Sequence, residues 1–206
     1  AIQDKLGTVL AETAHEDTVA RQAIQAILEQ LSSRSRNINI QNTEQMPNTR
    51  LDQIGFLFDV YADTIVLNHR AILNTSTVEL RIHCVHVAAE LIQQADQRRR
   101  IALEDQVLPT GGNTSDLIQR MRTDAGFQSK ILELARLHIR LKAQATQKEL
   151  EYAQFLRARG ITLPQSYERI LSFVQLSDGS LDTKRIRMLV INRDGFKRDF
   201  HRISNL

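Results

Sequence analysis

Tryptophan is absent from this 206-residue chain, cysteine occurs once, proline three times, and aromatic residues make up only 5%. Each shortage excludes something. A single cysteine, Cys84, cannot build an intramolecular disulfide framework, which fits a reducing compartment and sets the expectation of a cytoplasmic protein. Secreted effectors and virion components share that lack of disulfides. Without Trp, and with seven Phe and three Tyr mostly at core-like spacing, a base-stacking platform for single strands is disfavoured. No stretch approaches the roughly 18 consecutive apolar residues of a membrane span, and Ala1 to Lys5 does not read as a charged-then-apolar signal peptide, so the expectation is a soluble chain.

The scarcity of proline and glycine has the opposite effect: it leaves long Ala/Leu/Gln/Arg stretches uninterrupted, and these are helix formers. An apolar fraction of 42% beside 25% charged residues is ordinary for a globule and too apolar for a disordered chain. Val9, Thr13, Ala20, Ile24, Ile27 and Leu31 recur at three- and four-residue steps and predict a first helix from about Thr8 to Leu31. Residues 32–47 are polar and aperiodic, a loop. Asn48 or Thr49 then caps a second predicted helix with the face Leu51, Ile54, Phe58, Tyr61 and Ile65, ending near Leu73. Ser76 and Glu79 form a capping box for a third helix, carrying Leu80, Val87, Leu91 and Ala95 to about Val107, before Pro109 and Gly111-Gly112.

Thr114 or Ser115 caps the longest pattern, Leu117 to Arg159, which only Gly126 interrupts; it is one kinked helix or two, with Gly160 as its C-terminal cap. The fold class read from these periods is mainly α: an antiparallel helical bundle of four to five long helices over residues 1–160, with a small basic C-terminal unit over 161–206. Two readings of that unit stand side by side. Asp178-Gly179 and Asp194-Gly195 can turn a β-meander with strands 170–176, 185–192 and 196–203. Alternatively Pro164 opens a helix to Leu176, Ser177-Asp178-Gly179 turns, and Ser180 caps a second helix over 181–192, a helix–turn–helix with Lys184, Arg185 and Arg187 near the start of its second helix.

Residues able to do chemistry are present without the partners chemistry needs. Glu12 and His15 have the Glu-x-x-His spacing of di-iron bundles, but such sites require two copies and the chain has one. His83-Cys84-Val85-His86, with Glu79 and Glu90 four residues outside, is the tightest group of metal-capable side chains. On a helix Cys84 lies about 100° from His83, so a zinc site would need further ligands from His69 or His138. No Gly-x-Ser-x-Gly elbow occurs, and the glycine-bearing run 109–114 lacks the lysine and spacing of a P-loop. No catalytic residue, metal ligand set or cofactor is assigned on this reading.

Charge is uneven along the chain. Residues 1–31 hold five acids (Asp4, Glu12, Glu16, Asp17, Glu29) against Lys5 and Arg21; residues 181–206 hold seven cations against Asp182, Asp194 and Asp199. Arg outnumbers Lys 21 to 6, and guanidinium forks suit phosphates and carboxylates, although codon composition produces the same bias. Arg98-Arg99-Arg100 and the cations Arg120, Arg122, Lys130, Arg136, Arg140 and Lys142 extend the basic character. The expected function is a non-catalytic helical protein-interaction or assembly module, an adaptor, a secretion-related protein or a phage or virus structural protein, with a protein partner or self-association. The alternative is a nucleic-acid-binding protein using Lys184, Arg185, Arg187, Arg193, Lys197 and Arg198; a helical-bundle enzyme is the third possibility.

Overall fold

The computed structural model describes residues 1–15, 21–22, 24–25, 28, 56–59, 64–107 and 114–193, with 56–59, 64–67, 69, 114 and 193 as backbone. The chain is mainly helical. Its elements are α1 (Ile2–Glu12), β1 (Phe56–Asp59), β2 (Thr64–Leu67), α2 (His69–Asn74), α3 (Thr77–Ile92), α4 (Gln94–Val107), α5 (Thr114–Thr123), α6 (Ala125–Ala158), α7 (Gln165–Val174) and α8 (Thr183–Arg193). Positions 21, 22, 24, 25 and 28 are also helical. No helix among the described residues is long and apolar enough to cross a membrane.

α3 lies at the centre. Ser76 Oγ accepts the Glu79 amide (3.2 Å) and starts it, as the capping box predicts. Leu80, Cys84, Val87 and Ala88 of α3 join Ile2, Leu6 and Val9 of α1, Ile24 and Ile72 in one core cluster. Ile82 and Val85, on another side of the same helix, join Leu150, Ala153 and Leu156 of α6, Tyr167 and Leu171 of α7, and Ile186 and Val190 of α8. A helix buried on both flanks needs apolar residues nearly all round, which the run Leu80 to Ala89 supplies. The second cluster crosses residue 160, drawing side chains from 1–160 and from 161–206 alike.

Where the chain departs from the expected boundaries, local hydrogen bonding gives the reason. The first helix begins six residues earlier than the periodicity suggests, at Ile2, and α1 ends at Glu12; Thr13, still buried as expected, turns its hydroxyl back onto the Leu10 carbonyl (2.9 Å). Residues 56–59 and 64–67 are not part of a helix to Leu73. They pair antiparallel, with Phe56 opposite Leu67 and Asp59 opposite Thr64. The consecutive apolar and β-branched runs Phe56-Leu57-Phe58 and Thr64-Ile65-Val66-Leu67 favour strands, and the three- and four-residue steps that mimic a helical face are incidental to them. The predicted caps Asn48 and Thr49 and the loop 32–47 lie outside the described residues. Asn68 instead caps the short α2 through its side-chain oxygen and the Ala71 amide (2.9 Å), and Lys5 Nζ donates to the carbonyls of Leu73 and Thr75 at its other end.

The third predicted helix is interrupted once. At Gln93 the amide bonds to Glu90, three residues back (3.1 Å), which tightens the turn and separates α3 from α4. The longest pattern divides at Asp124, whose side chain accepts the Phe127 amide (3.0 Å) and starts the 34-residue α6. Gly126 leaves room for that cap: a Cβ there would lie 3.2 Å from Asp124 Oδ1. Gly160, at φ 77°, closes α6 in the left-handed conformation that glycine adopts without strain.

Segments 170–174 and 185–192, two of the candidate strands, lie within α7 and α8. Among the described residues after 160 the only strand-like pairing is an isolated bridge, Gln175 to Leu181, in the turn between the two helices, and the third candidate strand, 196–203, lies outside the described residues. α8 begins at Thr183, two residues later than a Ser180 cap would place it, because Asp182 Oδ1 accepts the amides of Lys184 (2.8 Å) and Arg185 (3.3 Å). The apolar run Met188 to Ile191 fits this helix by dividing its faces: Val190 is buried with Ile186 and Met188 points outward.

Leu156, fully buried between α3 and α6, and Leu132, on an exposed part of α6, separate packing from propensity. Leu156→Ala is expected to cost about 2–5 kcal/mol and Leu132→Ala less than about 1 kcal/mol in urea unfolding. Equal effects would mean that the second cluster is not packed as described.

Candidate functional site

Three turns of α3 carry polar side chains into the α6 side of the core, and each finds a partner there. Arg81 Nε donates to Tyr152 Oη (3.3 Å). His86 Nδ1 lies 2.8 Å from Glu149 Oε2, and its Nε2 is 3.5 Å from Glu90 Oε1. Lys142 Nζ donates to the same Glu90 oxygen (2.5 Å), and Tyr167 Oη of α7 donates to Glu149 Oε1 (2.5 Å). Glu90 and Glu149 are both buried. The result is a chain of charge-assisted hydrogen bonds, Tyr167 to Glu149 to His86 to Glu90 to Lys142, that ties α3, α6 and α7 together.

Burial disfavours a charge on His86, but the hydrogen bonds to Glu149 and Glu90 outweigh it and raise its pKa from 6.5 to about 9. Burial likewise works against the Glu90 carboxylate, and the His86 hydrogen bond with the Lys142 charge lowers it from 4.5 to about 2. At neutral pH the imidazole is therefore an imidazolium. A protonated ring has no lone pair to offer a metal or a substrate proton, so the arrangement is an ionic clamp rather than a general base.

Cys84 does not join it. Two helical steps separate Cys84 from His86, so the thiol sits in the α1 cluster with Leu80 and Val87 while His86 faces α6. Burial pushes the Cys84 thiol far above its ordinary value, the opposite of an activated nucleophile. His138 stands eleven residues before Glu149 on α6, about 16 Å along the helix axis, and the side chain of His69 lies outside the described set. Glu12 and His15 are both exposed at the end of α1. Among the described residues no group of three or more His, Cys, Asp or Glu is placed to hold a metal ion. Residues 109–113 lie outside the description.

The candidate nucleic-acid residues separate into three sets. Lys184, Arg185 and Arg187 share the first turns of α8 and are exposed. Arg193 is described as backbone, and Lys197 and Arg198 lie outside the described residues. Arg185 is turned inward on its neighbours: Nη1 donates to the Phe173 carbonyl (2.9 Å), Nε is 3.4 Å from Asp182 Oδ2, and the guanidinium lies 6.0 Å from the Phe173 ring centroid. The Phe173 ring that Arg185 faces is 45% exposed, Met188, one turn further along α8, is 54% exposed, and Leu176, just after α7, is 40% exposed among the described residues.

The turn from which Leu176 projects is tightly braced. Arg157 Nη2 donates to Gln175 Oε1 (2.5 Å), Gln154 and Gln175 both donate to the Gly179 carbonyl (2.9 and 3.1 Å), and Asp178 Oδ1 accepts the Ser180 amide and hydroxyl. Those bonds from Ser180 hold the exposed Asp178 carboxyl below its ordinary pKa. Gly179, at φ 87°, makes the bend. Sequence reasoning singled out the cations here and missed Phe173, Leu176 and Met188. It missed Glu149 and Tyr167 as well and took Lys142 only for part of a basic face, since contacts across 52 and 63 residues leave no mark in local spacing.

The other basic stretches are partly consumed by the fold. Arg99 pairs with Glu133 (2.6 Å), Arg100 with Glu104 (2.6 Å) and Arg140 with Asp96 (3.3 Å), and Arg120 lies over the Phe127 ring (4.1 Å). Arg122, Lys130 and Arg136 are exposed. Compared with protein-family models, with curated proteins and with solved structures, the chain matches none of them.

The clamp sets a pH dependence. A pKa raised from 6.5 to about 9 means that the His86 contribution to stability is complete below about pH 6.5 and is lost as pH rises through 9. The Glu90 contribution is complete above about pH 4.5 and is lost as pH falls through 2. NMR titration of the His86 ring is expected to show a midpoint near 9, moving toward 6.5 in Glu149→Gln, a variant that also loses about 3 kcal/mol of stability because it breaks a buried charged pair. A wild-type midpoint at 6.5 would refute the clamp.

Proposed function

We propose that this chain is a non-catalytic helical interaction or assembly module, built as an antiparallel bundle with a helix–turn–helix arm over 165–192, and that its contact face is the arm's α7–turn–α8 surface. The observation that carries this reading is the exposure of Phe173 on α7, Leu176 on the braced turn and Met188 on α8 within one short segment. Large apolar side chains displayed together mark contact surfaces, and a turn already fixed by its own hydrogen bonds loses little entropy when a partner orders around it. Methionine and phenylalanine are among the residues enriched in interface cores. Lys184 and Arg187 beside them favour a partner of negative charge.

Nucleic-acid binding through Lys184, Arg185, Arg187, Arg193, Lys197 and Arg198 is the second reading, supported by the exposure of Lys184 and Arg187 on the first turns of α8. One local feature weighs against it. A recognition helix offers its free N-terminal amides and positive dipole to phosphate, whereas here the Asp182 carboxylate already occupies the amides of Lys184 and Arg185. A phosphate would have to displace one anion to bind as another.

Size-exclusion chromatography with light scattering, with and without a mixed-sequence duplex at low and moderate salt, tests the two readings. The expected outcome is elution indifferent to the duplex, with Lys184→Ala/Arg187→Ala unchanged in that respect. Salt-sensitive co-elution whose log–log salt slope falls by about 2 in the double variant would transfer the function to nucleic acid.

A further inference from the structure

The two outward faces of opposite charge sit on opposite flanks of α3. α1 buries Ile2, Leu6 and Val9 against one flank, and its far side displays Asp4, Thr8, Ala11 and Glu12, all exposed. Those positions form one stripe at helical spacing, with acids at its two ends about 12 Å apart and small side chains between. Lys5 is committed to the carbonyls of Leu73 and Thr75, and the Ala1 ammonium lies 3.0 Å from Asp4 Oδ2, an exposed pair that a stronger partner of Asp4 can exchange. α8 buries Ile186 and Val190 on the other flank, and its far side displays Lys184, Arg187 and Met188 beside Phe173 and Leu176.

We propose that the occupant of the α7–α8 face is a second copy of this chain, which docks the acidic stripe of its α1 there, so that copies associate head to tail. The match is one of charge and of size. Lys184 and Arg187 meet Asp4 and Glu12, while Thr8 and Ala11 are small enough for Phe173 and Met188 to pack close to the α1 backbone. Within one chain the faces cannot meet, because α3 and its two clusters lie between them. A contact between two different faces is heterologous: each copy keeps one free face of each kind, and association continues until a ring closes or a filament grows. This inference rests on the binding reading of the α7–α8 face and adds its partner.

The test uses two full-length variants altered at exposed positions only, Lys184→Glu/Arg187→Glu and Asp4→Lys/Glu12→Lys. Concentration-dependent light scattering at low salt is expected to show wild-type association, weakening of at least about tenfold in each variant alone, and recovery on mixing the two, since like charges facing each other become opposite charges again. With methyl-labelled methionine, Met188 reports directly on the face and Met121 on α5 is the control. A wild-type chain that stays monomeric with an unmoved Met188 signal, or variants that fail to complement, overturns the proposal. A designed acidic leucine/glutamate amphipathic peptide tells its failure from that of the parent reading: if the peptide shifts Met188 in a monomeric chain, the face binds protein and only the second copy is wrong. If neither copy nor peptide moves Met188, both fall.

Discussion

A helix buried on both flanks can keep charged side chains there only if each is matched inside the fold, and α3 is such a helix. Leaving a buried charged group without a partner costs several kcal/mol, whereas a matched network is close to neutral and gains in specificity what it lacks in net stability. Arg81, His86 and Glu90 are matched by Tyr152, Glu149 and Lys142. From Arg81 to Glu90 the partners on α6 fall from Tyr152 through Glu149 to Lys142, and beyond α3 Gln93 meets Gln144 and Asp96 meets Arg140. The two helices therefore run in opposite directions in one register. A slip by one turn would strand an imidazolium and two carboxylates at once. Apolar packing of Ile82 and Val85 against Leu150 and Ala153 tolerates sliding far better than this pattern does.

The central helix also sorts the rest of the molecule into flanks. Its Leu80–Cys84–Val87 side gathers α1, α2 and residue 24, and its Ile82–Val85 side gathers α6, α7 and α8. α4 and the first half of α6 extend beyond both clusters with few buried side chains, held to each other by Arg99 to Glu133 and Arg140 to Asp96. Such exposed pairs contribute little each, so the order of that region depends on α6 being one continuous helix of 34 residues anchored in the second cluster.

The sequence exposed its helical content and several local stops because these are local physics. Ser76, Gly160 and the division near Gly126 act within four residues of themselves, and short-range hydrogen bonds can be read from short-range spacing. The strand pair 56–59 and 64–67 was misread because its apolar residues satisfy a helical period while their consecutive β-branched and aromatic character decides for strands. The C-terminal segment stayed ambiguous for a related reason: Met188 to Ile191 looks like a strand until it is known that only Ile186 and Val190 need burial. What no local pattern contains is which remote residue sits opposite. Glu149 is one of many helix-surface acids by sequence, and its role as the His86 partner follows only from the α3–α6 register.

The same register changes the meaning of the arginine excess. A surplus of guanidinium groups reads from sequence as a surface prepared for phosphate, but a planar fork with five donors is equally suited to joining helices whose side chains meet edge on. In this chain Arg81, Arg99, Arg140, Arg157 and Arg185 each reach a group on a different element, a tyrosine hydroxyl, two carboxylates, a glutamine amide and a main-chain carbonyl. Arg100 is spent within its own helix and Arg120 on an aromatic face. Arginines engaged in this way contribute charge to the total without presenting a free fork to solvent. Among the described side chains of α8 the cations that remain outward are Lys184 and Arg187, on the same α7–turn–α8 segment as the exposed Phe173, Leu176 and Met188. A phosphate backbone rewards rows of cations; a protein surface rewards an apolar centre with charges at its edge. The proposed reading of the α7–α8 face takes the second form.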